Sequence, residues 1–254
     1  IDLRPSALFF GRGSWTNDRT AHVLIDTSSI HIDSLALRNE EQFVFLDGDI
    51  RKDTSAALSF AVGKLRLENA APFYEGPEFH GLVSGEGRVM SLYQHPYILS
   101  HLRVDSLAVD DHPIGNLHFN AGWNNERNVI DLRGDLSRDT LRMLGFTGLL
   151  APGSKEQELD VDLMLDHFDL LFIEPYLPDA ISDVQGKVTG KVDITGMLAA
   201  PQANGEVRLD NAGIRIDYLN TKYTFSHVLK ILPDQFVMDN VTLLDGQGGQ
   251  AKAR

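Results

Sequence analysis

The chain contains no cysteine, few tryptophans and no long apolar run in its 254 residues. The missing cysteine excludes a disulfide, a thiolate metal site and a cysteine nucleophile. No apolar run approaches the roughly 20 residues that a membrane-spanning helix needs. Lysine and arginine are scattered and the net charge is −13. We therefore expect no nucleic-acid partner and no anionic membrane surface, because both would repel the chain.

Catalytic and metal-binding motifs are missing as well. The nine histidines show no metal-binding spacing, and Ser84 in "GLVSGEG" lacks the glycines of a nucleophile elbow. Asp47, Asp49 and Asp53 in "LDGDIRKD" could form a calcium loop. They lack the twelve-residue pattern of such loops, so a solvated turn is the better interpretation. We predict a protein that is not an enzyme and that binds no cofactor or metal.

The feature that the chain has in abundance is alternation of apolar and polar residues, as in "ELDVDLMLD" and "GKVTGKVDITG". A period of two predicts strands with one apolar and one wet face, paired antiparallel. Helix signals are limited to "HFDLLFIEPYLPDAISD", residues 167–183, where Pro175 and Pro178 allow one or two short turns. The sequence therefore predicts an all-β fold with short helical turns near 168–182.

One short phrase recurs five times: apolar, any residue, apolar, acid, then Ser or Asn. It occupies residues 30–34, 65–69, 102–106, 207–211 and 236–240. The alternation often resumes after it shifted by one residue, which would turn the following side chains to the other face. A β-bulge absorbs such a shift and bends the strand. A tight hairpin is the alternative, but no copy has Gly at the turn centre. We therefore predict a bulge or kink at these polar pairs.

Two architectures accommodate an apolar face on bent strands. In a closed sandwich or barrel the face is ordinary core. In a long, curled, antiparallel-rich sheet that does not close, the same face lines a groove, and an exposed apolar strip of that kind normally binds a ligand. Acyl chains suit such a groove, since each buried CH₂ contributes about 0.8 kcal/mol.

The stretch "DVQGKVTGKVDITGMLAAPQANGEVRLDNAGIRIDYLNTKYTF", residues 183–225, resembles the C-terminal region of TamB-like proteins, in a Bacteroidetes-like variant. That family belongs to the AsmA-like superfamily of bacterial envelope proteins. The resemblance rests on Gly186, Gly190, Gly196, Pro201 and Gly205, and it continues through "FVMDNVTLLDGQG". The match is specific over residues 101–254. Over residues 1–100 it rests on composition alone, and this part looks like weakly matched upstream repeats. We interpret 1–254 as one elongated β domain from a much larger envelope protein.

The resemblance implies an elongated, taco-like sheet with an apolar interior, in proteins that are anchored in the inner membrane and extend across the periplasm. It implies phospholipid transport to the outer membrane, with acyl chains as ligand and a TamA-like outer-membrane β-barrel of the assembly-factor family as partner. No catalytic residues are carried over. The predicted lipid groove consists of ten alternating apolar residues: Val161, Leu163, Leu165, Val188, Val192, Ile194, Val207, Leu209, Ile214 and Ile216.

Two other functions stay open from the sequence. The same groove and exposed strand edges would let a periplasmic chaperone hold unfolded strands of outer-membrane β-barrel proteins. A structural spacer or a carbohydrate-binding β domain ranks last, because a sugar site needs clustered aromatics and Trp15 and Trp123 lie far apart in the sequence.

Overall fold

The computed structural model describes residues 2–10, 13–27, 29–51, 56–69, 78–90, 97–110, 112–152, 158–177, 180–245 and 248–253. They form two compact units: unit one comprises residues 1–139 and 149–157, and unit two comprises 140–148 and 158–254. All strand pairs identified are antiparallel. In the described ranges helices are limited to 3-10 segments at 67–69, Leu170–Tyr176 and Asp217–Leu219. The all-β prediction and the short helical turn near 168–182 are confirmed.

Unit one is built on a meander in which each strand from β5 to β11 pairs with the next. β1 pairs with β4, β2 pairs with β3, and both β3 and β4 pair with β5. No pair among the described residues joins β11 back to the first strands, so this sheet is open. Its strands are β1 (Asp2–Leu3), β2 (Ser6–Phe10), β3 (Gly13–Asn17), β4 (Ala21–Ile25), β5 (Ser29–Asn39), β6 (Gln42–Arg51), β7 (Ala57–Arg66), β8 (Phe79–Met90), β9 (Tyr97–Val109), β10 (His112–Asn124) and β11 (Val129–Arg138).

Unit two continues with the same antiparallel pattern. β13 to β16 pair in order, β17 and β18 both pair with β16, and β19 pairs with β18. The described residues contain no pair that closes β13 onto β19. The strands are β13 (Glu158–Asp169), β14 (Ile181–Met197), β15 (Ala200–Ile216), β16 (Thr221–Leu232), β17 (Gln235–Val237), β18 (Val241–Asp245) and β19 (Gln250–Ala253); β12 (Leu141–Ala151) has residues in both units.

The repeated phrase forms a β-bulge in three strands. In β5, Ile32 faces Gly48 and Leu35 faces Leu46, so two β5 residues oppose one β6 residue, and Ser34 has φ 57°. The same two-against-one count occurs at 105–106 of β9 against β10 and at 210–211 of β15 against β16. Asn adopts this left-handed conformation more readily than bulky or branched residues do. The predicted bulge is confirmed at these three copies.

A fourth copy, at 236–240, begins in β17, and its polar pair, Asp239 and Asn240, lies between β17 and β18. Val237 of β17 faces Lys230, and Leu244 of β18 faces Thr224. The β17–β18 side therefore has one residue more than β16 between these pairs, and Asn240 has φ 59°. This copy absorbs the shift without forming a hairpin, because both flanking strands pair with β16.

The fifth copy, at 65–69, contradicts the prediction. Its polar pair, Glu68 and Asn69, lies in the 3-10 segment at 67–69, and the bulge of β7 lies earlier, at residues 63–64. Lys64 takes the left-handed conformation there, with φ 48°. The phrase alone therefore does not place the bulge, because the register against the neighbouring strand also has to fit.

A side chain from the facing strand caps each of five bulges. A bulge removes one N–H from the ladder, and an unpaired N–H that leaves water is costly. In every case the left-handed residue donates its backbone N–H to the side-chain oxygen of the one residue opposite the bulge. The pairs are Ser34 to Asp47 Oδ1 (3.1 Å), Lys64 to Ser84 Oγ (3.0 Å), Ser106 to Asn116 Oδ1 (2.9 Å), His167 to Thr189 Oγ1 (3.1 Å) and Asn211 to Ser226 Oγ (2.9 Å).

The bulges keep the apolar side chains of each strand on one face. Val104 of β9 faces Val83, and Val109, five residues later, faces Phe79, which shares its parity with Val83. Without the extra residue Val109 would point to the opposite face, because strand side chains alternate. The bulge thus converts two shifted apolar runs into one continuous apolar face.

Candidate functional site

The ten predicted groove residues all lie on one face of unit two. Residues directly opposed in an antiparallel pair point to the same side of the sheet. Val161 faces Ile194 and Leu163 faces Val192 between β13 and β14. Further pairs connect the same face across β14 and β15, including Val188 with Leu209. We call this surface the apolar face of unit two; its contact with lipid stays a prediction.

Burial divides the ten residues into two groups. Five of them are buried: Val161, Val188, Val192, Val207 and Leu209, with exposed fractions between 2% and 7%. Five are half-buried: Leu163, Leu165, Ile194, Ile214 and Ile216. Eight of the ten belong to or pack against a single hydrophobic cluster that also includes Val184, Ala212, Phe225 and Val241. The middle of the face is therefore packed, while its flanks remain open to solvent.

The opposite face of unit two is polar and charged. Lys191 Nζ lies 2.9 Å from both Asp162 Oδ1 and Asp193 Oδ1, and Arg208 pairs with Asp210. The hydrogen bond from Lys191 lowers the pKa of Asp162, and the bond to Asp162 raises the pKa of Lys191. Exposed ion pairs of this kind add little stability. Their value here is diagnostic, since they mark this face as the one in contact with water.

A 3-10 segment lies over part of the apolar face. Leu170, the first residue of the segment, is 7% exposed and packs in the same cluster as Val184 and Val188. Glu174 accepts a hydrogen bond from the backbone N–H of Val184 at 2.8 Å. The segment therefore contacts the face through Leu170 and is held to β14 by the hydrogen bond of Glu174.

Unit one has an apolar face that the predicted residue set does not include. The registers of β6 to β11 place one row of opposed residues across it, from Leu46 through Phe60 and Ala121 to Leu132. Most of this face is half-buried, and Ile98 and Trp123 are 47% and 38% exposed. The other members are Val44, Leu58, Val62, Val89, Leu102, Val104, Phe119 and Ile130.

The sequence did carry a signal for this second face, but it was ambiguous. In "QFVFLDG" the apolar residues Phe43, Val44, Phe45 and Leu46 follow one another, so both parities are apolar. Only the pairing of Val44 with Val62 and of Leu46 with Phe60 assigns the even-numbered residues to the apolar face. Alternation alone could not make that choice.

The polar residues singled out in the sequence have structural roles. Asp47 and Asp49 lie within β6, not in a turn, so the solvated-turn interpretation is wrong for them; Asp53 lies outside the described residues. Asp47 caps the bulge at Ser34, and Asp49 lies 3.0 Å from His31. In the ranges that the structure describes, no group of three or more His, Asp or Glu side chains is placed to hold a metal ion.

Comparison with known proteins gives one match. A family model described as TamB, N-terminal domain, matches residues 9–209, most of the chain. Searches of the curated proteins and of the solved structures found no match. The resemblance to TamB-like proteins is thus confirmed, but the matched model describes the N-terminal domain, not the C-terminal region inferred from the sequence. In the described part of the chain, no helix has the length and apolarity needed to cross a bilayer.

Proposed function

Because the chain belongs to the TamB family, through the match of its N-terminal domain model to residues 9–209, we propose that it carries phospholipids between the membranes of a bacterial cell envelope. The ligand in this proposal is the acyl chain, and the protein works in the periplasm by binding rather than by catalysis. A TamA-like β-barrel of the outer membrane is the proposed partner, and the full-length protein is anchored in the inner membrane.

The apolar faces are the observation that carries this proposal. On both units apolar side chains continue from strand to strand at right angles to the strand direction. In unit one most of these side chains remain half-buried. Contiguous accessible apolar surface is uncommon in soluble proteins and normally marks a binding site.

Polar side chains are few among the described residues of these faces, such as His227 on unit two and Ser100 on unit one, and this suits transport more than storage. The rows across unit two consist mostly of apolar residues, such as Leu165, Gly190, Val207 and Leu229. An acyl chain moving from one row to the next exchanges similar contacts, so no position along the path traps it. Each CH₂ that leaves water contributes about 0.8 kcal/mol.

The proposal is tested by introducing photoreactive side chains into the protein and identifying the molecules that they crosslink. Photoreactive side chains at Leu165 and Ile194 should capture phospholipid, and matched probes at Asp160, Lys191 and Arg208 on the polar face should not. Mass spectrometry of the adducts and of a lipid extract from the purified protein identifies the lipid. Equal labelling of both faces would refute the proposal, and adducts with unfolded β-barrel protein instead of lipid would favour the chaperone function.

A charged substitution supplies the functional readout. Ile194 is half-buried, so Ile194→Asp should place a carboxylate on the apolar face and block lipid passage while the chain stays folded. Circular dichroism checks folding, and lipid transfer between labelled vesicles checks passage. If the variant unfolds, Ile194 belongs to closed core; if it transfers lipid as the unmodified protein does, the face is not the path.

A further inference from the structure

The 3-10 segment Leu170–Tyr176 and the following Leu177 lie against the apolar face of unit two. They connect β13 to β14, two neighbouring strands that contribute six of the ten predicted groove residues. Leu170 and Leu177 pack on the hydrophobic cluster of the apolar face. The Phe172 ring also lies 5.2 Å from that of Phe168, which faces Val188. We call residues 170–177 the covering segment.

The described contacts of the covering segment lie at the end of the apolar face where β14 begins. Val184, whose N–H donates to Glu174, and Val188, which faces Phe168, lie in the first half of β14 and are 4% and 6% exposed. Toward the other end of the strands, Leu163, Ile194 and Ile231 are only partly buried. Leu165, Phe168, Ile181 and Ile214 near the segment are partly buried as well, so the surface closed beside the segment is the one at Val184 and Val188.

The segment has a specific polar attachment to β14 through Glu174. Glu174 Oε2 accepts from the N–H of Val184 at 2.8 Å, beside Asp183, which has φ 52° and lies in a register shift between β14 and β15. The irregular register frees this N–H from the ladder, and Glu174 satisfies it. The apolar contact through Leu170 and the hydrogen bond through Glu174 are thus separate attachments that can be removed one at a time.

We propose that the covering segment sets which part of unit two's apolar face acyl chains can occupy. With the segment in place, lipid contacts the strip around Leu163, Ile194 and Ile231; without it, the surface at Val184 and Val188 also becomes available. This inference rests on the proposed function, because it assigns a specificity-determining role to residues beside the same lipid path. Leu170 and Glu174 are positioning residues in this role, since they act through the segment.

A photoreactive phospholipid tests the role of the covering segment without any substitution on the apolar face of unit two. The full chain is incubated with phosphatidylcholine vesicles containing diazirine-acyl phosphatidylcholine, irradiated, and digested, and adducts are mapped by mass spectrometry. The measured quantity is the ratio of adducts at Val184 and Val188 to adducts at Leu163, Ile194 and Ile231. We expect a low ratio in the unmodified protein.

Removing the attachments through Leu170 and Glu174 should raise that ratio. In the variant Leu170→Ser with Glu174→Ala, we expect a rise of about tenfold, because lost contacts shift the equilibrium toward the uncovered state. Glu174→Gln keeps an acceptor for the Val184 N–H and should leave the ratio unchanged. The matched control is Tyr218→Ser with Leu219→Ser in the other described 3-10 segment of unit two, which has no buried residue. A second variant, with residues 170–177 replaced by a Gly-Ser stretch of equal length, serves if the first does not fold.

The outcomes separate the two proposals. A high ratio in the unmodified protein, or an unchanged ratio in both segment variants, overturns the role of the covering segment while adducts at Ile194 still support lipid transport. If the unmodified protein forms no lipid adducts on either face, the proposed function is refuted, and so is the role of the covering segment. Circular dichroism of each variant establishes that a changed ratio does not come from unfolding.

Discussion

Replacing Leu209 with alanine tests whether the centre of unit two's apolar face is packed or open in the lipid-free protein. Leu209 is 5% exposed and belongs to the hydrophobic cluster. The change removes three carbon atoms, at about 0.8 kcal/mol each, and leaves a cavity among neighbours that relax only in part. We expect the free energy of unfolding to fall by about 3 kcal/mol, within the range of about 2–5 kcal/mol found for such changes.

Urea unfolding followed by far-UV circular dichroism measures this loss. If the denatured state is unchanged, the midpoint shifts while the slope stays the same. The two tryptophans, Trp15 and Trp123, both belong to unit one, so tryptophan fluorescence gives a separate transition for that unit. We expect the circular dichroism transition to respond more strongly than the fluorescence transition.

Two matched variants complete the test. Arg208 is adjacent in β15 but points to the polar face, so Arg208→Ala should change stability by no more than about 0.5 kcal/mol. Leu163 is only partly buried, so Leu163→Ala should lower the free energy of unfolding by more than Arg208→Ala and by less than Leu209→Ala. A loss below about 1 kcal/mol for Leu209→Ala would refute the packed centre and favour an open trough.

Three further predictions concern the bulges and the polar face. Ser226→Ala removes the acceptor for the Asn211 N–H and should cost about 1 kcal/mol in urea unfolding, whereas Ser226→Thr, which keeps a hydroxyl, should cost less. Gly186→Ala should destabilise unit two in thermal unfolding, because Gly186 has φ 113° and its new Cβ would lie about 2.7 Å from a backbone atom of the bulged strand; unchanged stability would contradict this geometry. Lys191→Met should raise the pKa of Asp162 in a carboxyl NMR titration, since the Lys191 hydrogen bond lowers that pKa. The stabilising effect of the Lys191–Asp162 hydrogen bond is therefore present above the unfolded-state pKa of Asp162, and it is lost as pH falls through the lowered folded-state pKa.

Much of the fold could be predicted because strand periodicity is a local property. The alternation in β13 to β15, together with the bulge predicted at the end of the 207–211 phrase, placed all ten groove residues on one face, and the strand pairing agrees. The Asp-Ser and Asp-Asn pairs predicted bulges at Ser34, Ser106 and Asn211, because a one-residue shift has few backbone solutions. These inferences need only neighbouring residues in the chain.

The features that the sequence did not predict depend on interactions between strands. His167 and Lys64 adopt the left-handed conformation without the Asp-Ser or Asp-Asn signature, and in each case an oxygen on the facing strand, from Thr189 or Ser84, satisfies the freed N–H. A hydroxyl about 20 residues away along the chain cannot be recognised as a cap until the register is known. The apolar face of unit one was missed for the same reason, because apolar residues of both parities follow one another in β6.

By itself the sequence determined the secondary structure and the direction of the apolar side chains in unit two, since a period of two fixes which residues share a face. It also determined the family, through glycines and apolar positions in fixed order. Only the tertiary structure decided how much of that face is accessible. Val207 and Ile194 have the same parity signal, yet Val207 is 2% exposed while Ile194 stays half-buried, because burial depends on which neighbours surround each side chain. The covering segment was likewise decided by packing, since two prolines in the sequence predict a short turn but not the surface on which Leu170 comes to rest.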